Sequence, residues 1–361
     1  MATALDIRLD SDLPLTLQYQ LSIGGVSIQV STRRDLGAAF YAGHEPFTTD
    51  LLNPDLCINV EPLTDSTRVS GRTLFDSGST WRLFEYQGKL CFEFGYPLSS
   101  TGPTRRLLVD PEFTRATLQV DRCLLGDSES RMPILAYPLD ELLIMHRLTL
   151  EKAIELHGTG IVRGNGEANL FVGHSGAGKS TTTRLWTDVE DVEVLSDDRI
   201  IVRRDAAVTG IPCDASGNPN ERGVLRLREN CASLSSHSAQ DDNVAGSAQD
   251  DTQIPRFARN DKAIRMYGTP WHGEAMFASP NSAPLTRIFV LEHGHGNVIT
   301  PLTPSQAVAE LFARSFVPFH RHEYVDSALV FLEELANSVP VYRYSFEPDQ
   351  RAVEKVRNFR D

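Results

Sequence analysis

The stretch Asn169-Leu170-Phe171-Val172-Gly173-His174-Ser175-Gly176-Ala177-Gly178-Lys179-Ser180-Thr181 constrains this chain more than any other. An apolar run enters a glycine-rich loop, and the loop enters a helix-compatible segment. Residues 173–180 fit the phosphate-loop (Walker A) pattern G-x-x-x-x-G-K-[ST] without a mismatch. The residue types suit that task. Gly173, Gly176 and Gly178 permit backbone conformations that a side chain would forbid. Backbone N–H groups of the loop, those of His174, Ser175, Ala177 and Thr181 among them, can then converge on phosphate oxygens beside a helix start. Lys179 brings a cation to the β- and γ-phosphates, and Ser180 offers a hydroxyl to Mg²⁺. The stretch predicts a strand, a nucleotide-binding loop and a helix from Lys179 to about residue 187, with ATP and Mg²⁺ as cofactors.

The chain has 361 residues, enough for two domains with sizeable cores. Its formal net charge of −13 argues against non-specific binding to nucleic acid or to an anionic membrane. The cysteines (Cys57, Cys91, Cys123, Cys213 and Cys231) are scattered, odd in number and without C-x-x-C spacing. They read as free thiols in a reducing compartment rather than a zinc site or a disulfide framework. The first residues lack a basic region followed by an apolar core, and no apolar run is long enough to span a bilayer. A cytoplasmic protein with no membrane partner is expected.

Residues 1–135 predict a β-rich amino-terminal domain of unassigned role. Leu15 to Ile23 and Val26 to Val30 alternate apolar and polar residues around Gly24-Gly25, a hairpin signature. Trp81 to Tyr86 and Lys89 to Phe94 repeat that plan around Gln87-Gly88. From Leu139 the pattern Leu139, Leu142, Leu143, Leu150, Ile154 predicts a helix of about 15 residues opening a second domain over 138–361. His157-Gly158 leads a strand toward the phosphate loop. A further short strand ends in Ser196-Asp197-Asp198. Adjacent carboxylates beyond a strand, downstream of a phosphate loop, suit a Mg·ATP site: one for the metal, one to orient or deprotonate a hydroxyl. The segment 229–260 repeats Ser-Ala-Gln-Asp-Asp at 238–242 and 247–251 and is poor in apolar residues, so it predicts a disordered insertion. Gly268-Thr269-Pro270-Trp271-His272-Gly273-Glu274 concentrates turn formers, a large aromatic and ionisable groups.

Taken in order, His157-Gly158, the loop 173–180, Leu195-Ser196-Asp197-Asp198-Arg199 and the Gly-Thr-Pro-Trp loop resemble the HPr serine kinase/phosphorylase-like family, in its divergent HPr-kinase-related branch. That family shares its P-loop architecture with ATP-dependent phosphoenolpyruvate carboxykinase. The resemblance covers about residues 138–361. It implies an α/β P-loop kinase domain, behind the β-rich amino-terminal domain, that transfers the γ-phosphoryl group of ATP to a hydroxyl, as of serine, on a protein or peptide. It assigns catalysis to Asp197 as base, with Lys179 and His157, and the metal to Ser180 and Asp198. A homo-oligomer is compatible with it. A small-molecule or carboxykinase-like phosphotransferase, and an ATP-dependent sensor without transfer, stay open.

Overall fold

A computed structural model describes residues 16–65, 67, 69–95, 102–126, 133–204 and 264–360. The expected insertion at 229–260 lies outside them. The described chain is mixed α/β with two large mixed sheets.

The first sheet grows from the expected hairpin. β1 (Thr16–Ile23) and β2 (Val26–Arg33) pair antiparallel, with Leu21 opposite Ile28 and Ile23 opposite Val26. Their inward side chains are fully buried, as strand alternation requires. β3 (Leu56–Pro62) and β4 (Arg72–Asp76) follow. The second expected hairpin appears as β5 (Trp81–Tyr86) and β6 (Lys89–Phe94). β7 (Arg105–Val109) and β8 (Arg115–Val120) complete the order β1-β2-β3-β8-β7-β6-β5-β4.

Helix α1 (Leu139–Leu148) is shorter than its apolar spacing suggests. Leu139, Leu142, Leu143, Ile144 and Leu148 pack into the core of the first sheet. Leu150 lies beyond the helix and is exposed, and Ile154 belongs to the next strand. The helix closes at Thr149, whose hydroxyl donates to the His146 carbonyl at 2.7 Å. The residues after it, with Ile154, Thr159, Ile161 and Val162, favour extended backbone.

The second sheet is built around β9 (Ala153–Arg163) and β10 (Ala168–Val172). Helix α2 (Lys179–Thr187) follows the phosphate loop, then β11 (Val192–Ser196), β12 (Arg199–Arg204), β13 (Ile264–Tyr267), β14 (Ser282–Pro284), β15 (Arg287–His293) and β16 (Val298–Pro301). Helix α3 (Pro304–Phe312), β17 (Ser315–Phe316), α4 (His322–Ser338), β18 (Val341–Phe346) and α5 (Gln350–Arg357) finish the chain. The order is β14-β13-β12-β9-β10-β15-β18-β16, with β11 and β17 also paired to β9. β10, β15 and β18 run parallel, and β9 runs antiparallel to β10.

Alternation along β10 and β15 divides the surrounding helices. Leu170, Val172, Ile288 and Val290 pack with α3 and α4 through Leu311, Phe331 and Leu335. Phe171 and Phe289 face the other way, onto Trp186 of α2 and Val353 and Val356 of α5. The phosphate loop therefore leaves a sheet covered on both faces. Among the described residues, no helix is long and apolar enough to cross a membrane.

One buried carboxylate ties three distant segments together. Asp140 Oδ2 accepts from Trp271 Nε1 at 3.0 Å and lies 2.8 Å from His44 Nε2. Its other oxygen accepts from the Glu141 N–H at 2.9 Å. Asp140→Ala leaves two buried donors unpaired, each worth roughly 1–3 kcal/mol, so a stability loss of about 2–5 kcal/mol is expected. Asp140→Asn, which keeps an acceptor oxygen, should lose less. Thermal melts of the three proteins measure this, and an unshifted Asp140→Ala midpoint would refute the tie.

Candidate functional site

Residues 173–180 turn from β10 into α2, as the pattern predicts. Gly178 sits at the helix start with φ 101°, and a Cβ there would lie 2.4 Å from the Phe346 ring. Glycine therefore answers both the backbone and the packing at this point. His174, Ser175 and Gly176 are exposed, whereas Ala177 and Lys179 are buried. Ala177 N–H donates to His174 O at 3.0 Å and closes the turn. The first turn of α2 holds Lys179, Ser180 and Thr181, whose N–H groups have no intrahelical acceptor by construction.

Lys179 Nζ donates to the carbonyls of Gly173 at 2.9 Å and His174 at 3.2 Å. Burial pulls its pKa down to about 8, against the opposing pull of the Asp198 charge. The ammonium is thus held at the mouth of the loop, partly stripped of water.

Three motifs that are remote in sequence meet here through backbone bonds. Gly173 N–H donates to His157 O at 3.2 Å, and Gly158 N–H donates to Asp198 O at 3.0 Å. A Cβ on Gly158 would lie 2.9 Å from the Phe171 carbonyl oxygen, so β9 and β10 approach closely where the loop begins. His157 Nε2 lies 2.9 Å from Asp198 Oδ1.

The two aspartates occupy different surroundings. Asp197 is buried, and its carboxylate accepts from the N–H groups of Gly273 (3.0 Å), Ala275 (2.8 Å) and Phe277 (3.2 Å). It is committed to folding the segment that follows Trp271. Asp198 is half-buried, bonded to His157 on one oxygen and to Arg199 on the other. Burial alone would raise its carboxyl pKa, but the His157 bond and the Arg199, His157 and Lys179 charges together hold it below the usual carboxylate range. The family resemblance gives the base role to Asp197 and the metal to Asp198, an order that could be reversed. Of the two, Asp198 is the one whose charge pulls on the loop lysine.

Behind Asp198 lies a set of residues that the sequence reading does not single out. Arg199 Nε lies 2.8 Å from Glu141 Oε1 and 3.4 Å from Glu155 Oε1, and its guanidinium stands 4.1 Å from the Phe316 ring centre. Glu155 is fully buried, and no donor reaches its oxygens in hydrogen-bond geometry. Burial first, then the neighbouring Glu141 carboxylate, pushes its pKa well above the ordinary 4.5. A lone glutamate inside the apolar run Ala153-Ile154-Glu155-Leu156 is the sequence signal that would have found it. Beside Asp198 and Arg199 opens a cleft of about 230 Å³, walled by Tyr41, Tyr137, Pro270, Trp271 and His272.

No group of three or more His, Cys, Asp or Glu side chains arranged for a metal occurs among the described residues. Mg²⁺ bound with nucleotide needs no such cage, since phosphates and waters fill most of its shell. A scan against protein-family models matches none, and no curated protein matches the chain.

Glu155→Gln keeps the shape of a neutral carboxyl and cannot ionise. An unfolded glutamate ionises near 4.5 while the folded one stays protonated, so the parent loses stability as pH rises above 4.5 and the variant does not. The midpoint of the variant relative to the parent should therefore climb from pH 4.5 toward neutrality, then level once the folded carboxyl ionises. A pH-independent difference would show that Glu155 is ionised when folded.

Proposed function

We propose that the chain is a Mg·ATP-dependent phosphotransferase, with the second sheet as a P-loop kinase domain of the HPr-kinase-like type. Its acceptor is a hydroxyl of the serine kind on a protein or peptide. The observation that carries the reading is that backbone bonds bring the loop, His157 and Asp198 together, Gly173 N–H to His157 O at 3.2 Å and Gly158 N–H to Asp198 O at 3.0 Å. A cation at a phosphate loop and an ionised carboxylate influence each other's charge beside an open cleft.

The loop N–H groups and Lys179 would take the β- and γ-phosphates. Ser180 in the first turn of α2 and the half-buried Asp198 are the residues that would hold Mg²⁺, which supplies charge neutralisation. Asp198 also takes the base role in place of Asp197. A carboxylate offers about four lone-pair sites, enough for several partners. The acceptor oxygen forms a bond to the γ-phosphorus, the bond to the ADP oxygen breaks, and the hydroxyl proton passes to Asp198. His157, held through its backbone to Gly173 and Arg314, fixes the carboxylate. A carboxyl with a low pKa is a weak base, but phosphoryl transfer depends mainly on positioning and charge stabilisation.

Asp198→Asn keeps the size and removes the proton acceptor. It should reduce transfer of labelled γ-phosphate by about 10²–10⁴-fold and also weaken the Mg²⁺-dependent part of nucleotide binding, since a metal ligand is lost. Asp197→Asn should instead lower the melting midpoint, because an amide presents one acceptor oxygen to three N–H donors. Transfer at the parent rate in Asp198→Asn would overturn the base assignment.

A further inference from the structure

We infer that the cleft beside Asp198 is the acceptor site, and that it selects a hydroxyl carried next to an uncharged, apolar or ring-bearing group and rejects anionic neighbours. This rests on the phosphotransferase reading and names the substrate class for that site.

Size comes first. A volume of about 230 Å³ equals the liquid share of roughly eight waters at ~30 Å³ each. A serine side chain alone would leave most of it empty. A hydroxyl residue with the edge of a neighbouring ring or chain can occupy it.

The walls are next. Tyr137 is 60% exposed at the rim, whereas Trp271 is 6% exposed at the floor. Tyr41 meets His44 edge-on with ring centres 5.1 Å apart. The Asp140 carboxylate that binds His44 also binds Trp271. Two aromatic walls, Tyr41 from the first-sheet region and Trp271 from the second, are thus anchored to one buried group. Aromatic faces set before a ligand arrives favour apolar and ring-bearing partners.

Charge decides the rest. The Arg199 guanidinium is the cation lining the cleft, and it is already engaged by Asp198 and Glu141. A substrate carboxylate or phosphate would have to compete with those two carboxylates for it. Asp198 and Glu141 match its charge, so the cleft offers an anionic neighbour no uncompensated cation.

The test uses the full chain with γ-labelled Mg·ATP and two acceptor panels. One holds blocked heptapeptides with a central serine flanked by Phe, Ala, Lys or Asp. The other holds small alcohols with and without a phenyl group. Phe-flanked or phenyl-bearing acceptors should be labelled well, and Asp-flanked ones poorly. Whichever panel is labelled tells whether the hydroxyl comes from a peptide or a small molecule. Tyr137→Ala, at an exposed position, should raise the acceptor KM about fivefold to tenfold with kcat little changed, and Tyr137→Phe should restore it. ATP affinity, read by titration, should stay at the parent value. Labelling of Asp-flanked peptides as strong as Phe-flanked ones, an unmoved KM in Tyr137→Ala, or ATP binding with no acceptor labelled would each overturn the inference. Failure of the parent to bind Mg·ATP would instead overturn the phosphotransferase reading beneath it.

Discussion

Two backbone hydrogen bonds on β9 hold the candidate site together. His157 accepts from Gly173 at the start of the phosphate loop, and Gly158 donates to the Asp198 carbonyl. Main-chain bonds of this kind fix position whatever the side chains do. They set the loop, the His157 imidazole and the Asp198 carboxylate in one place, although 41 residues separate His157 from Asp198. The missing Cβ of Gly158 is part of the same constraint, because the Phe171 carbonyl lies where it would be. β9 also pairs with β10, β11, β12 and β17, so the strand that aligns the site is the most heavily braced in the second sheet.

Around that strand the protein places charges in pairs that burial strengthens. Lys179 loses hydration and its pKa falls to about 8, yet Asp198 pulls the other way. Arg199 is fixed by Asp198 and Glu141, while burial raises the pKa of Glu155 behind them. In such surroundings each charge acts on its neighbours more strongly than it would in water. A nucleotide phosphate entering the loop would replace the carbonyls that now hold the Lys179 ammonium.

The local features were legible in the sequence. The turn at 173–178 between β10 and α2 and the span of α2 follow from glycine positions and helix-compatible residues, and both hairpins around Gly24-Gly25 and Gln87-Gly88 from alternation. Features set by remote partners were not. β4 exposes most of its residues and offers no apolar alternation. α1 looked longer because Ile154 matched a helical spacing while serving β9. The Asp197-Asp198 pair was visible, but its division of labour depends on N–H groups 76 or more residues downstream. Asp140 and Glu141 looked like ordinary acids in a first helical turn. Nothing local announces that they bind Trp271 and Arg199.

The central claim is that Lys179, whose pKa burial lowers to about 8, meets the phosphates of ATP. Calorimetric titration of the full chain with Mg·ATP on both sides of pH 8 tests it most directly. Below about pH 8 the free lysine is already cationic, and affinity should be nearly constant. Above it the free lysine is neutral while the phosphate-bound one keeps its proton, so binding should take up one proton and weaken as pH rises. That result would support the account. An absence of saturable binding, or an affinity and proton uptake that do not change through this range, would contradict it.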